Sequence, residues 1–340
     1  MNANILIGLA IIAAGSFAQS SSYAPINRVK QWRWECFWLV QGIFAWLLFP
    51  LLGALLAAPS VTTLMEIYAG APVWKSIVFG AFWGIGGLTF GLSMRYLGIA
   101  LGQSIALGMC SAFGTMIPAL SGKSSGTTAA LTIGVSVMLA GIAIVGYAGH
   151  LRERSMPEEE KRKAIRDFAF TKGLLVALLA GAASACFNLG LEAGASVQEN
   201  ALRQGVHELL ALNPVILLVT LGGFFTNAAY CLYRNRQNSS FSDYFSVGSR
   251  AVVNNVLFCA LAGLLWYSQF FGLGAGKAFL SENPAMLAFS WSILMSLNIL
   301  FSNVWGVILK EWEGAGRRAA LALVVGMIAL IVSLVIPNLI

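Results

Sequence analysis

The chain has 340 residues, of which 58% are hydrophobic and only 10% are charged, and its mean hydropathy is +0.77. About a quarter of the residues of a soluble globular protein are charged, so this composition excludes an ordinary soluble domain. The net charge of +7 does not indicate nucleic-acid binding, because the basic residues cluster in short connections between apolar segments.

Ten apolar segments follow one another along the chain, each long enough to cross a membrane, which takes about 20 residues. They cover residues 4–22, 34–58, 75–95, 99–120, 129–149, 172–194, 214–233, 251–272, 284–309 and 319–338. We therefore predict an all-α polytopic membrane protein with ten transmembrane helices. Pro50 and Pro118 lie inside two segments and predict kinks, because proline removes a backbone N–H.

The basic residues predict the orientation of these helices. With the connections on alternating sides, 17 of the 21 Lys and Arg residues fall on one side, and Lys75, Lys123, Arg203 and Lys277 fall on the other. Cytoplasmic loops are enriched in Lys and Arg, so the first side is predicted to be cytoplasmic. Both termini then face outward.

The charged stretch 151–171 divides the chain into two parts, residues 1–150 and 172–340, with five apolar segments each. The two parts begin similarly, with "GLAIIAAGSFAQ" from Gly8 and "GLLVALLAGAASA" from Gly173. Because five is odd, the second part must enter the membrane from the opposite face. We predict two inverted five-helix repeats joined by a cytoplasmic linker, a plan common among secondary transporters.

Neutral polar and aromatic side chains inside the segments are the candidate substrate-binding residues. Such transporters bind their substrate near the membrane midplane, where polar groups are costly unless they face a partner or a cavity. Amides and hydroxyls both donate to and accept from sugar hydroxyls, and charged side chains are almost absent at depth, so a neutral monosaccharide is favoured. The predicted residues are Gln19, Tyr23, Trp83, Gln103, Asn188, Asn254, Asn255, Trp266, Tyr267, Gln269, Trp291 and Asn303.

Each of these residues also has a structural interpretation. Asn, Gln and Ser hold transmembrane helices together through hydrogen bonds, and Trp and Tyr form belts at the membrane surfaces. In the stretch "WYSQ", Trp266 and Tyr267 fit such a belt, whereas Gln269 continues a polar wall. For the set as a whole, a polar cavity is the favoured interpretation.

Two acids are candidates for proton coupling, which needs a titratable group within reach of both sides of the membrane. Glu35 begins the second segment, and Glu192 lies near the outer end of the sixth. The alternative for Glu35 is an acid that stabilises a helix N-terminus. The alternative for Glu192 is a residue of the outer interface.

An enzyme is not predicted, because the segments carry no His/Cys/Asp cluster and no phosphate-binding loop. The five cysteines are widely spaced and give no disulfide or metal pattern. A nucleotide-sugar exchanger would need buried Lys or Arg for the phosphates. We expect no cofactor, no metal site and no nucleic-acid partner, and the expected partners are a monosaccharide, a coupling proton and the lipid bilayer.

Four stretches are familiar from a known family and occur in the same order. They are "YAPINRVKQWRWE" (23–35), "FGAFWGIGGLTFGLSMRYLG" (79–98), "NVLFCALAGLLWYSQFF" (255–271) and "LKEWEGAGRR" (309–318). Together they resemble the bacterial L-rhamnose–proton symporters, a branch of the drug/metabolite transporter superfamily. The match departs from the family at Asn254, where a histidine is expected, and such a change can alter the sugar preference or the coupling ion.

The resemblance implies ten helices in two inverted repeats and import of a monosaccharide, first of all L-rhamnose, with protons by alternating access. It also implies a multi-pass protein of the bacterial inner membrane, with both termini in the periplasm. Two alternatives stay open. One is a related sugar uniporter, and the other is an exporter of amino acids or other small metabolites on the same fold.

Overall fold

The computed structural model describes residues 2–97, 99–121, 128–155, 170–246 and 248–339. Within these ranges, ten helices are long and apolar enough to cross a membrane, which confirms the predicted fold class. Most of the predicted linker, residues 156–169, and Lys123 lie outside the described residues. The helices are α1 (Ala3–Ser20), α2 (Trp34–Ala57), α3 (Val73–Leu97), α4 (Ile99–Leu120), α5 (Thr128–Ser155), α6 (Phe170–Ala193), α7 (Asn213–Asn238), α8 (Ser249–Leu280), α9 (Pro284–Ile308) and α10 (Gly316–Ser333).

Helix α2 is not a regular α-helix along its whole length. Its middle, Ile43–Leu48, is π-helical, and the N–H of Phe49 donates to the carbonyl of Phe44, five residues back. Pro50 follows directly and cannot donate to the carbonyl of Trp46, so the α-helical pattern is interrupted at this point. The distortion predicted at Pro50 takes the form of this π segment, whereas Pro118 lies inside the α-helical α4.

Two short helices lie in connections between the long helices, one between α2 and α3 and the other between α6 and α7. One is Val61–Tyr68, and the other is Ala195–Arg203, in a connection where the sequence analysis predicted only a loop. The two helices pack together, and the Nδ2 of Asn200 donates to the carbonyl of Ile67 at 3.0 Å. The sequence predicted no helix there because nine residues are too short and too polar for the pattern of a membrane span.

The chain forms two compact units. The first unit contains Met1–Leu9, Ile85–Asn188 and Phe279–Ile340, and in it α5 packs against α4 and α10 while α9 packs against α4 and α5. Its core includes the fully buried Met138 and Phe289. The second unit contains Ala10–Gly84 and Leu189–Ala278, and in it α7 packs along all three parts of α2. Each unit takes segments from both halves of the chain, so the units are not the predicted repeats.

Glycines allow close backbone approach at some helix contacts but not at others. A Cβ added to Gly80 of α3 would lie 2.0 Å from the carbonyl oxygen of Val219 in α7. Gly84, one turn later, is similarly close to Thr226. On the same helix, Gly87 and Gly91 would meet nothing within 4 Å. Helix packing therefore explains the first Gly-xxx-Gly pair of α3, and it does not explain the second.

Candidate substrate and proton sites

Four tryptophans of the second unit form what we call the tryptophan cluster: Trp38, Trp46, Trp83 and Trp266. The rings of Trp83 and Trp266 lie 5.7 Å apart and are inclined by 31°, and both side chains are half-buried. Trp46 stands edge-on to each of them at 6.0 Å. Trp38 contacts Trp46 at 5.5 Å. Two inclined indole rings beside a third ring offer aromatic faces on which the apolar face of a ligand can stack.

Trp46 belongs to this cluster although the sequence analysis did not select it. It lies in the π segment of α2 and is only 5% exposed, and its indole Nε1 has no hydrogen-bond partner among the described residues. The available signal was the repetition of tryptophan in one apolar segment, at positions 34, 38 and 46. Helical periodicity alone does not show which of these rings meets a ring from another helix.

In the stretch Trp266–Gln269, the polar groups of Tyr267 and Gln269 lie inside the protein. The hydroxyl of Tyr267 donates to the Oδ1 of Asn213 at 3.2 Å, and both residues are buried. The Nε2 of Gln269 donates to the carbonyl of Trp266 at 3.1 Å, and the side chain is 3% exposed. Tyr267 thus links α8 to the start of α7, while Gln269 binds the backbone of Trp266, a residue of the tryptophan cluster.

The other predicted residues of the second unit differ in their surroundings. Asn255 is 2% exposed, and its amide both accepts from the backbone N–H of Lys30 at 3.1 Å and donates to the Lys30 carbonyl at 2.9 Å. Asn254 is exposed, and Gln19 is half-buried beside Ser20. For Tyr23, the structure describes only the backbone, in the short helix Tyr23–Ile26.

In the first unit, Asn188 and Trp291 lie against α4. The Nδ2 of Asn188 donates to the carbonyl of Gly114 at 2.7 Å, and its buried Oδ1 has no partner among the described residues. The indole N–H of Trp291 donates to the carbonyl of Cys110 at 3.3 Å, and its ring stacks on Phe187 at 5.9 Å. Trp291 therefore uses both its face and its N–H within the protein, whereas Asn188 keeps an unused acceptor.

Gln103 and Asn303 line a cavity of about 190 Å³ in the first unit. Gln103 is in the second turn of α4, and Asn303 is near the C-terminal end of α9. Both residues lie closer to the ends of their helices than to the middle. The cavity also contains Arg152, from the last turn of α5.

Glu35 is enclosed by neutral hydrogen-bond donors. It is 4% exposed, and its Oε1 accepts from the Nδ2 of Asn238 at 2.8 Å and from the Oγ of Ser240 at 2.7 Å. The neighbouring Arg33 instead pairs with Asp243 at 3.3 Å and donates to the carbonyl of Asn238. A carboxylate held by neutral donors can take up a proton without breaking an ion pair.

Glu192 is placed differently, because its Oε1 lies 3.4 Å from the Nζ of Lys277. The two side chains are 32% and 16% exposed. The sequence analysis placed Lys277 in a connection, but α8 continues to Leu280 and includes it. Protonation of Glu192 would have to break this ion pair, so its geometry suits a link between α6 and α8.

Comparison with known proteins gives a consistent result over the whole chain. The family model described as L-rhamnose-proton symport protein (RhaT) matches residues 1–339. A relative from Yersinia pestis, named L-rhamnose-proton symporter, is 34% identical over 341 residues, covering 98% of this chain and 97% of the relative. A relative of the same name from Cronobacter sakazakii is 35% identical over 342 residues, with the same coverage. The chain belongs to the L-rhamnose-proton symporter family, a family of membrane transporters and not of enzymes.

Proposed function

We propose that this protein imports L-rhamnose together with protons across a bacterial inner membrane by alternating access. The observation that carries the proposal is the family match, which extends over residues 1–339. The chemistry of the helices is compatible with it, because amides, hydroxyls and indole rings are what a neutral sugar requires.

The sugar stacks its C–H face on Trp83 or Trp266 in this proposal. Their half-buried rings support this role, and the buried amide of Gln269 binds the backbone carbonyl of Trp266. By contrast, Asn255 and Tyr267 are positioning residues, because their polar groups are hydrogen-bonded to Lys30 and Asn213 of neighbouring protein segments.

Glu35 is the proposed proton carrier. Its support is that the buried carboxyl group has neutral hydrogen-bond donors, so uptake of a proton breaks no ion pair among the described residues, and the same donors favour its return to the ionised form. The Glu192–Lys277 pair is the weaker candidate, since its charge is already compensated.

The predicted inverted repeats become a proposal about the whole chain. If α1–α5 and α6–α10 are equivalent, then α2 corresponds to α7, α4 to α9 and α5 to α10, and each of these pairs is in contact. Close backbone approaches are also matched. Gly15 of α1 lies against Ser268 of α8, and Gly86 of α3 lies against Ser184 of α6. These matched contacts support a two-fold relation between the repeats. We also propose that this plan places the family in the drug/metabolite transporter superfamily. The side of the membrane with most of the Lys and Arg residues is proposed to be cytoplasmic.

Uptake of radiolabelled L-rhamnose into proteoliposomes of the purified protein, with and without an inward proton gradient, tests the function. We expect uphill accumulation that a protonophore abolishes. Uptake that only equilibrates the sugar, whatever the gradient, would indicate a uniporter. Absence of L-rhamnose uptake by folded protein would contradict the proposal, and a thermal-shift screen of monosaccharides and amino acids would then identify the substrate.

A further inference from the structure

The cavity of the first unit is formed by α4, α5, α9 and the turn that follows α9. Its volume is about 190 Å³. An engineered protein cavity of about 150 Å³ holds a benzene molecule, so the space is sufficient for a six-membered ring.

The turn after α9 is folded so that two side chains face the cavity. Lys310 has a left-handed backbone with φ of 60°, and the N–H of Glu311 returns to the carbonyl of Gly306 at 2.8 Å. A Cβ on Gly306 would lie 3.1 Å from the Nε1 of Trp312 and 3.3 Å from the Oε2 of Glu311. The absence of a side chain at 306 therefore lets Trp312 and Glu311 close one end of the cavity.

Arg152 joins this turn to α5. Its guanidinium lies 3.7 Å from the carboxylate of Glu311 and 5.4 Å from the ring centre of Trp312. The Nε is buried and has no acceptor among the described residues. A buried guanidinium N–H without a partner is costly, and such groups in native proteins are satisfied by water or by a ligand. The arrangement thus presents an oriented donor, a carboxylate and an indole ring in one place.

The charges and the apolar wall restrict the class of ligand. Arg152 is accompanied by two acids, Glu153 and Glu311, so the lining has no excess of positive charge for a phosphate or a carboxylate. Ser104 and Ser302 add hydroxyl groups, and Leu107, Ile142, Val145 and Ile299 form an apolar side. A neutral ring with hydroxyls on one side and a methyl group on the other fits this lining, and L-rhamnose, a 6-deoxy sugar, has that character.

We propose that this cavity is a second binding site for the transported sugar, at the end of the protein that carries Arg152. In the proposed orientation this end is cytoplasmic, so the sugar occupies the cavity before its release into the cell. Arg152 and Glu311 bind its hydroxyls, and Trp312 provides the stacking face. The inference rests on the proposed function and names a site in the first unit, whereas the tryptophan cluster belongs to the second.

Protection of an introduced cysteine tests occupancy. Ser302→Cys places a thiol in the cavity wall, and Ser155→Cys places one on the exposed end of α5. Four of the five natural cysteines are buried, so the wild type gives the background of labelling. In inside-out vesicles, L-rhamnose is expected to slow maleimide labelling of Ser302→Cys at least fivefold and to leave Ser155→Cys unchanged. Equal labelling with and without the sugar, in vesicles that transport it, would overturn the site.

A kinetic comparison gives a second, independent result. Trp312→Ala is expected to raise the half-saturation concentration for efflux, measured from the Arg152 side, about tenfold, and to change that for influx less than twofold. Trp312→Phe, which keeps a stacking face, is expected to restore most of the loss. Equal changes in both directions would overturn the proposed sidedness. If Ser302→Cys does not transport the sugar, Ser104→Cys on α4 replaces it in the labelling experiment. If the wild type itself does not transport L-rhamnose, the proposed function is refuted before any variant is compared.

Discussion

Glu35 shows how a single buried carboxyl group can serve either structure or coupling. Its neighbours on α7 and the following turn, Asn238 and Ser240, both donate to the same oxygen. The Oγ of Ser240 also contacts the Oδ1 of Asn235 at 2.8 Å, so the network continues into α7. When Glu35 binds a proton, its carboxyl group becomes neutral and gains a hydrogen-bond donor, and no charged partner has to leave.

Glu35→Gln tests the coupling role. The amide has the shape of the carboxyl group but cannot exchange a proton, so sugar counterflow is expected to persist while pH-driven accumulation falls to the equilibrium level. Both are measured in proteoliposomes with radiolabelled L-rhamnose. Glu66→Gln, on the exposed face of the short helix Val61–Tyr68, is the matched control and should behave as wild type. Undiminished uphill accumulation by Glu35→Gln would remove this residue from the coupling mechanism.

Trp266 is the residue through which the tryptophan cluster is best tested. It contacts Trp46, Trp83 and Phe270, so its replacement removes one face of the proposed stacking site. Trp266→Ala should raise the half-saturation concentration for uptake about tenfold, which corresponds to about 1.4 kcal/mol. Trp74→Ala, at a side chain that is 61% exposed, should leave it unchanged. Similar values for both variants would contradict the stacking role.

At the scale of helices, α3 combines a tightly packed half with an open half. Gly80 leaves no room for a methyl group beside Val219, whereas Gly87 has open space. Gly80→Ala is therefore expected to destabilise the detergent-solubilised protein by about 1–3 kcal/mol, the range for overpacking. Gly87→Ala should leave stability unchanged or raise it by up to about 1 kcal/mol, because alanine favours the helix. Thermal denaturation measures the stability of both variants. Equal changes in stability for Gly80→Ala and Gly87→Ala would show that the α3–α7 contact is not tight.

Helix α2 adds a different kind of irregularity. The π segment Ile43–Leu48 places Trp46 in the tryptophan cluster, and π segments occur frequently at functional sites. Its position just before Pro50 gives a chemical cause, since proline cannot complete the α-helical hydrogen bond. The rotation of side chains that follows from one extra residue in a turn is absent from any 3.6-residue pattern, which is why Trp46 escaped the sequence analysis.

For the whole molecule, the ten spans were predictable because hydropathy depends only on the order of residues along the chain. The pairing of helices was not, since it depends on side chains far apart in sequence. Asn255 illustrates this limit, because nothing local indicates that its amide binds the backbone of Lys30. The cavity with Trp312 illustrates it again, because the stretch 309–318 indicated the family in the sequence analysis but not which helices its side chains meet.

Orientation is also a property of the whole molecule. We expect Ala3→Cys and Leu339→Cys, near the two ends of the chain, to react with a membrane-impermeant maleimide added to intact cells. Both residues are exposed. Ser155→Cys, at the Arg152 end of α5, should react only after the membrane is permeabilised. Labelling in the reverse order would invert the proposed orientation, and with it the side at which the second sugar site opens.

The bond between Asn255 and Lys30 has a consequence for digestion by trypsin. The connection between α1 and α2 carries Arg28, Lys30 and Arg33, all exposed and all potential cleavage positions. A protease needs a pliable stretch of backbone, and susceptibility follows the hydrogen bonding of that backbone. Here the N–H and the carbonyl of Lys30 are both held by one amide, and Arg33 is held by Asp243. This connection should therefore resist trypsin in the folded protein despite its composition, and Asn255→Ala should make it susceptible to cleavage.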